Sequence, residues 1–593
     1  MSLFRRPRSS GPEAARAYKE LQDRVHASGL DSVEKEAWEL QKNCFLQLKA
    51  GDESVAGPLC SAARLSFIIE ASHSQWITAT AAALNFSVAI QSIGAQCEKR
   101  GVPFPEALRP EIQQMADWVV YVAHRSGVPL AGCMLAEKLT SQMFGDRTYK
   151  RELSEVLHRH DPIKELRSIQ RTLARMSAAS TAALAVEPNE VPSGQLQQMF
   201  EAMLLDDLRA GTQMSAASYV LTASSPVHAL HGASSTGRSV IYLAAGAGAG
   251  TAIRLEAPRT GLPLCESIEL PDFSLETVRA QIKALRDDLK DPRVRVRDEA
   301  VNRALDKVSE SVWDPVIAAW PDLSETRVAL VPIGESALLP LYTAPIDGVP
   351  ACATTDLTIA PSGNALMLAS LWPLPTEHHT FVAADPWSGP HAIRFAEQEA
   401  EKVAAIHGVQ PHIMRSPGPP EPDGVPDGTE HVRGLDDLRQ STIADAVPDD
   451  ALIPDLAQSN LIHIACHGEP DPHRPLQTAL LLGRRLSLST LLENDLKAGA
   501  TVILSACDLA SIGTEFAAEQ LGFPAGLLAI GARSVIGPLW AVPDTAATVD
   551  LMIELHRDLR DVAPSVALGQ AIGRAAAAGV RPSVWAPFAH FGG

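Results

Sequence analysis

Two short apolar runs constrain this chain more than any other feature. LIHIACHG (461–468) and TVILSAC (501–507) are built from aliphatic and β-branched residues, and each stops at a reactive side chain, His467 and Cys507. A continuous apolar run bounded by turn residues suits a strand buried on both faces of a parallel sheet. Between the two runs, 486–497 has helical spacing, with Ser487 or Ser489 at the N-cap position and Gly499 as the stop. Residues 478–483 read as a further strand or hairpin within that connection. Strand, helix, strand predicts a right-handed crossover with both strands running the same way. Ligands bind an open α/β sheet just past the carboxyl ends of its strands, so the imidazole and the thiol are expected to face one crevice. Such a pair makes a nucleophile: the thiolate attacks, and the imidazole lowers the thiol pKa and handles the proton. The amides of Gly468 and Cys507 are the candidate oxyanion donors.

Other chemistries fit less well. His463, Cys466, His467 and His473 cluster locally, but Cys466 has the opposite strand parity to His463 and His467, and zinc needs convergent ligands. No metal and no cofactor are therefore expected. Cys466 reads as core packing and His463 as a buried or supporting histidine. The sequence contains no G-x-S-x-G elbow, no H-E-x-x-H helix and no Walker loop. Gly246, Gly248 and Gly250 do not make a dinucleotide loop, since the third glycine is one position early and a strand follows; a hairpin turn is the reading.

The stretch resembles the CHAT family of caspase-like, separase-like cysteine peptidases (clan CD). The resemblance rests on LIHIACHG (461–468), ILSACD (503–508), GLLAIGARSVIGPLWAVPD (526–544) and WAPF (585–588). In order upstream are VPIG (331–334), Leu339-Pro340, APS (360–362), Asp385-Pro386 and AEQE (396–399). It spans roughly the C-terminal half. It implies a caspase-like α/β fold and a Cys-His dyad, Cys507 attacking and His467 as general acid, cutting a protein at limited sites. It also implies activation by a protein partner, in a bacterial defence or regulatory pathway, and helical repeats ahead of the peptidase domain. Ser505, of Cys507's parity, and Asp508 are pocket candidates. Leu509-Ala510 departs from the Thr-Gly pair many relatives carry there, which bears on the pocket rather than on the dyad.

At 593 residues the chain exceeds one hydrophobic core, so two or three domains are expected. Residues 1–13 read as a flexible start. From there to about 210 the chain has helical spacing at 36–48, 62–71, 81–97, 110–122 and 195–208, with breaks at Gly51-Asp52, 101–103 and 127–129. No persistent repeat consensus appears, so a tetratricopeptide assignment rests on the family alone. The expected organisation is a helical, repeat-like, partner-binding domain over 1–215, a Ser/Ala/Gly-rich linker over 216–237, and the CHAT domain over 238–593, divided at 375/376 into a pseudo-caspase-like and a catalytic part. In that second region strands are expected at 239–244, 251–255, 327–333, 380–384 and 533–539. Helices are expected at 274–290, 294–320, 392–406, 522–530, 543–559 and 565–578, with 585–591 closing the sheet.

The net charge of −19 works against sequence-independent nucleic-acid binding, which needs Lys and Arg on phosphates. Eight scattered cysteines without a CxxC pair are no disulfide framework, and the N-terminus lacks an apolar signal core; both predict a cytosolic protein. Residues 71–96 carry no Lys, Arg, Asp or Glu but contain Ser72, His73, Ser74, Gln75, Asn85, Ser87, Gln91 and Ser92, and read as buried helices rather than a membrane span. The Pro/Gly/acidic stretch 416–430 reads as a solvated loop and, on a caspase analogy, as a processing site. The rival to a peptidase is a non-catalytic scaffold or adaptor built from the same parts; a thiol hydrolase of small molecules is a third reading.

Overall fold

The structure, a computed structural model, describes residues 11–100, 105, 108–140, 236–256, 264–291, 293–372, 379–388, 392–416, 452–471, 477–483, 485–492, 496–497, 499–506 and 523–593. The expected helix at 195–208, the linker as far as 235 and the Pro/Gly-rich loop from 417 lie outside these residues. What is described falls into two compact units, one ending by 140 and the other beginning at 236.

The first unit is all helix: α1 Gly11–Ser28, α2 Glu34–Lys49, α3 Ala56–Ser72, α4 Trp76–Arg100, α5 Arg109–Arg125 and α6 Pro129–Thr140. The flexible start expected over 1–13 does not include 11–13, because α1 begins at Gly11, whose amide donates to Ser54 Oγ at 3.1 Å; residues 1–10 lie outside the described residues. Gly51 and Gly127, at φ 93° and 72°, adopt the left-handed conformation that ends α2 and α5. Trp76–Gly94 of α4 is, among the described residues, the one helical stretch long and apolar enough to cross a membrane by length and composition. In this unit 53% of it is buried. Its polar residues are used internally, as where Thr80 Oγ1 meets Ser126 Oγ at 2.7 Å.

The second unit is organised by one thirteen-stranded sheet with helices packed against it. Its strands are β1 Arg238–Ala245, β2 Gly250–Glu256, β3 Leu264–Leu270, β4 Arg327–Pro332, β7 Asp356–Ile359, β8 Thr380–Ala384, β9 His412–Ile413, β10 Leu461–Glu469, β11 Ala479–Leu481, β12 Arg485–Ser487, β13 Ala500–Ala506, β14 Ala532–Pro538 and β15 Phe588–Gly592. A separate two-stranded ribbon, β5 Pro345–Ile346 with β6 Val349–Pro350, lies between β4 and β7 in the chain. The main order is β12-β11-β10-β13-β14-β15-β7-β4-β1-β2-β3, with β8 on β10 and β9 on β8. β1, β4, β7 and β15 run parallel, as do β8, β9, β10, β13 and β14; the two sets meet antiparallel where β14 pairs β15.

Several expectations shift. The terminal segment does not close an edge: β15 lies in the middle of the sheet and joins its two halves, with Phe588 and Phe591 buried. The helix expected over 486–497 is described only as Leu488–Leu492, because 485–487 pair as β12 with β11 and Ser487 Oγ then accepts from Thr490 N at 3.2 Å as the cap. The helix expected over 294–320 is Val294–Val308, a wide π-type turn at Ser309–Trp313, then Asp314–Ala319. Pro315 has no N–H to continue the ladder, and the wider turn absorbs that loss.

Charged groups sit at the amino ends of the first half's strands. Arg238 opens β1 opposite Arg327 of β4, which in turn lies opposite Asp356 of β7. The Arg238 guanidinium, nearly buried, donates to Asp356 Oδ1 at 3.0 Å and to its carbonyl at 2.8 Å, and Ser565 Oγ adds a 2.6 Å bond to Oδ1. Burial pushes the Asp356 carboxyl up, but the Arg238 charge and these hydrogen bonds outweigh it and hold it below its ordinary range.

Candidate active site

In the second half of the sheet, β10 outruns its neighbour β8. β8 pairs with 461–465 and stops, closed by Asp385 N donating to Ala465 O at 3.0 Å. The last three residues, His467, Gly468 and Glu469, instead pair antiparallel with β11, His467 opposite Leu481 and Gly468 opposite Leu480. On its other side β10 runs parallel with β13, with Ala465 opposite Ser505 and Cys466 opposite Ala506. The residues that follow this last pair in the sequence are His467 and Cys507. His467 is partly buried, Gly468 buried and Ser505 partly buried, while Cys507, Asp508 and His473 lie outside the described residues.

His467 has an aromatic neighbour that the sequence reading passed over. Its ring centroid is 4.4 Å from that of Trp387, the planes tilted by 53°. Trp387 is 5% exposed and sits at φ 53°, a left-handed conformation that costs a residue with a side chain about 1–2 kcal/mol. The loop that holds it there is built on Asp385. Its buried carboxylate accepts from Ser416 Oγ at 2.6 Å, Ser416 N at 3.1 Å, Gly483 N at 2.7 Å and, at 3.4 Å, Trp387 N. Asp385-Pro386 was visible as a motif; nothing in local spacing pointed from Trp387 to a histidine 80 residues later.

Behind His467 on the same strand parity lies a buried histidine chain. His407 Nε2 is 3.0 Å from His556 Nδ1, and His556 Nε2 is 3.1 Å from His463 Nδ1. His463 Nε2 lies 3.0 Å from Glu399 Oε1, although the two atoms are not aligned for a hydrogen bond. Glu399 and His407 come from the helix Ala396–His407 and His556 from Ala546–Asp558, so these two helices cover the face of β10 that carries His463. Burial, reinforced by His463 and His407, holds the His556 imidazole well below its ordinary value. His463 is thus buried support. Cys466 is buried, its Sγ 3.4 Å from the His467 carbonyl. Among the described residues no three His, Cys, Asp or Glu side chains converge as a metal site. The motif residue Asp544 also acquires a role: its carboxylate accepts from Arg394 N at 2.7 Å and Phe395 N at 3.1 Å, fixing the turn that leads into the helix starting at Ala396.

Four of the other thiols are poor nucleophiles. Burial pushes Cys44 up to about 11 and Cys265 up to about 12, and takes Cys60 and Cys352 higher still.

A family match covers part of the second unit. The CHAT domain family matches residues 302–593. No curated protein matches the sequence. Among solved structures, the chain is similar to separase of Saccharomyces cerevisiae in its complex with securin, at 10% identity and a TM-score of 0.44, covering 98% of this chain and 53% of that one. It therefore spans about half the length of the separase chain it matches. The strands whose ends hold His467 and lead into Cys507 lie within residues 302–593, the part of the chain that matches the CHAT domain family.

Proposed function

We propose that this chain is a cysteine endopeptidase in which Cys507, as thiolate, attacks a scissile carbonyl and His467 protonates the leaving amine. The observation that carries the reading is the parallel register of β10 and β13, which sets Cys466 opposite Ala506 one residue before each reactive group. The CHAT domain match supports the same reading. The amides of Gly468 and Cys507 hold the developing oxyanion, where such a donor contributes about 3 kcal/mol to lowering the barrier. Ser505 and Asp508 shape the pocket. The substrate is a protein cut at limited sites, and the helical unit binds an activating protein, in the cytosol and within a bacterial regulatory or defence pathway.

The test is labelling of Cys507 by a peptide electrophile, read by mass spectrometry with candidate partner proteins present. Saturable labelling that His467→Ala abolishes is expected. No labelling of Cys507 under any of these conditions would favour the non-catalytic scaffold.

A further inference from the structure

We propose that Trp387 is the positioning residue of His467, its indole fixing the imidazole plane and shielding one imidazole face from water. The proposal rests on the peptidase reading for its consequence but not for its geometry.

An imidazole at a strand end can turn about two side-chain bonds, and proton transfer demands one orientation. Here the ring packs against Trp387, the centroids 4.4 Å apart and the planes tilted by 53°. The loop is secured on both sides of the tryptophan: Ile393 N donates to Pro386 O at 2.7 Å and Ser388 N to Ser416 O at 3.1 Å. The Asp385 carboxylate gathers donors from the Trp387 backbone, from Ser416 beyond β9, and from Gly483, two residues past the Leu481 that pairs with His467. One carboxylate therefore ties the indole to the hairpin flanking the histidine. A left-handed backbone at a large side chain persists only where its surroundings impose it, and here they do so to place a ring. Among the described residues the buried indole N–H has no hydrogen-bond partner, so the ring surface rather than a hydrogen bond is what the loop presents.

Two readouts on the full chain test this. The first is the modification rate of His467 by diethyl pyrocarbonate, followed by peptide mass spectrometry, which needs no activity. The second is the peptide-electrophile labelling of Cys507, resolved into a limiting rate and a half-saturating concentration. Trp387→Leu is expected to raise the His467 modification rate severalfold. It should lower the limiting labelling rate by on the order of ten- to a hundredfold, with half-saturation unchanged. Trp387→Phe, which keeps a ring and loses no hydrogen bond, should recover most of both. Should Trp387→Leu fail to fold, Asp385→Asn loosens the same loop and is expected to move both readouts the same way. The proposal is overturned if the leucine variant, or Asp385→Asn in its place, leaves His467 modification unchanged, or if the phenylalanine variant behaves like leucine. If wild-type Cys507 never labels, the peptidase reading fails, and the His467 modification rates still decide whether Trp387 covers the histidine.

Discussion

The two halves of the sheet are each built on parallel strands but use opposite strand ends for their polar groups, the amino ends in the first half and the carboxyl ends in the second; because the halves meet antiparallel at β14 and β15, both sets of ends lie along the same rim. In the first half, Arg238, Arg327 and Asp356 sit at the amino ends of β1, β4 and β7 and bind one another. The carboxyl ends there are turned over to structure: Ser362, just past β7, caps the helix Gly363–Leu371 by accepting from Ala365 N at 3.1 Å. In the second half the carboxyl ends carry Asp385, Trp387 and His467 and lead into Cys507. The contrast teaches that a parallel sheet supplies a place for chemistry but not the chemistry. Charge at the amino ends of the first half locks the fold, and polar side chains at the carboxyl ends of the second half gather around the candidate site.

Substitutions sharpen that division. His467→Ala is expected to reduce Cys507 labelling or peptide hydrolysis by about 10²–10⁴-fold, the usual contribution of a positioned acid or base, with the thermal midpoint unchanged. A comparable loss of stability would instead make His467 structural. Asp356→Ala should do the reverse. It leaves the nearly buried Arg238 charge without its carboxylate and should cost about 3–5 kcal/mol in denaturant unfolding, while labelling per folded molecule stays at wild-type level.

Acid should act on the buried histidines of the core. His590 of β15 is buried, with Nδ1 2.7 Å from Thr358 Oγ1, and burial holds its pKa down to about 3; His556 is depressed in the same sense. Below the unfolded histidine value of about 6.5, the unfolded chain takes up protons that the folded chain refuses. Stability contributed by the neutral rings is therefore whole above pH 6.5 and declines as pH falls from there toward 3, by up to about 1.4 kcal/mol per pH unit for each group. Melting curves from pH 7.5 to 4.5 should show the decline, and His590→Asn should flatten it. A slope unaffected by that variant would remove His590 from the account. The smallest effect expected is at the first half's carboxyl end, where Ser362→Ala should cost about 1 kcal/mol in thermal unfolding and nothing in labelling.

Much of this was legible in the sequence, for physical reasons. LIHIACHG and TVILSA could only be buried strands, and their adjacency followed from the connection between them; the helices of the first unit followed from apolar spacing and from Gly51 and Gly127. What was not legible depends on contacts between distant segments. The central place of β15 is set by pairing with β14 and β7, and WAPFAHFG (585–592) reads equally well as an edge. Arg238 meets Asp356 across 118 residues and the chain from His407 through His556 to His463 draws on three elements, none marked by local periodicity. Trp387 was hidden in the same way, while the break in the 294–320 helix was readable in Pro315 and went unused.

The central claim is that β10 and β13 carry positions 467 and 507 to adjoining points on one rim, and cross-linking measures it directly. In a Cys466→Ser background, His467→Cys should form a disulfide with Cys507 under mild oxidation, seen as a linked peptide pair on non-reducing mass spectrometry, since bridged Cα atoms must lie about 4.4–6.8 Å apart. A folded variant that retains two free thiols at these positions after oxidation would contradict it.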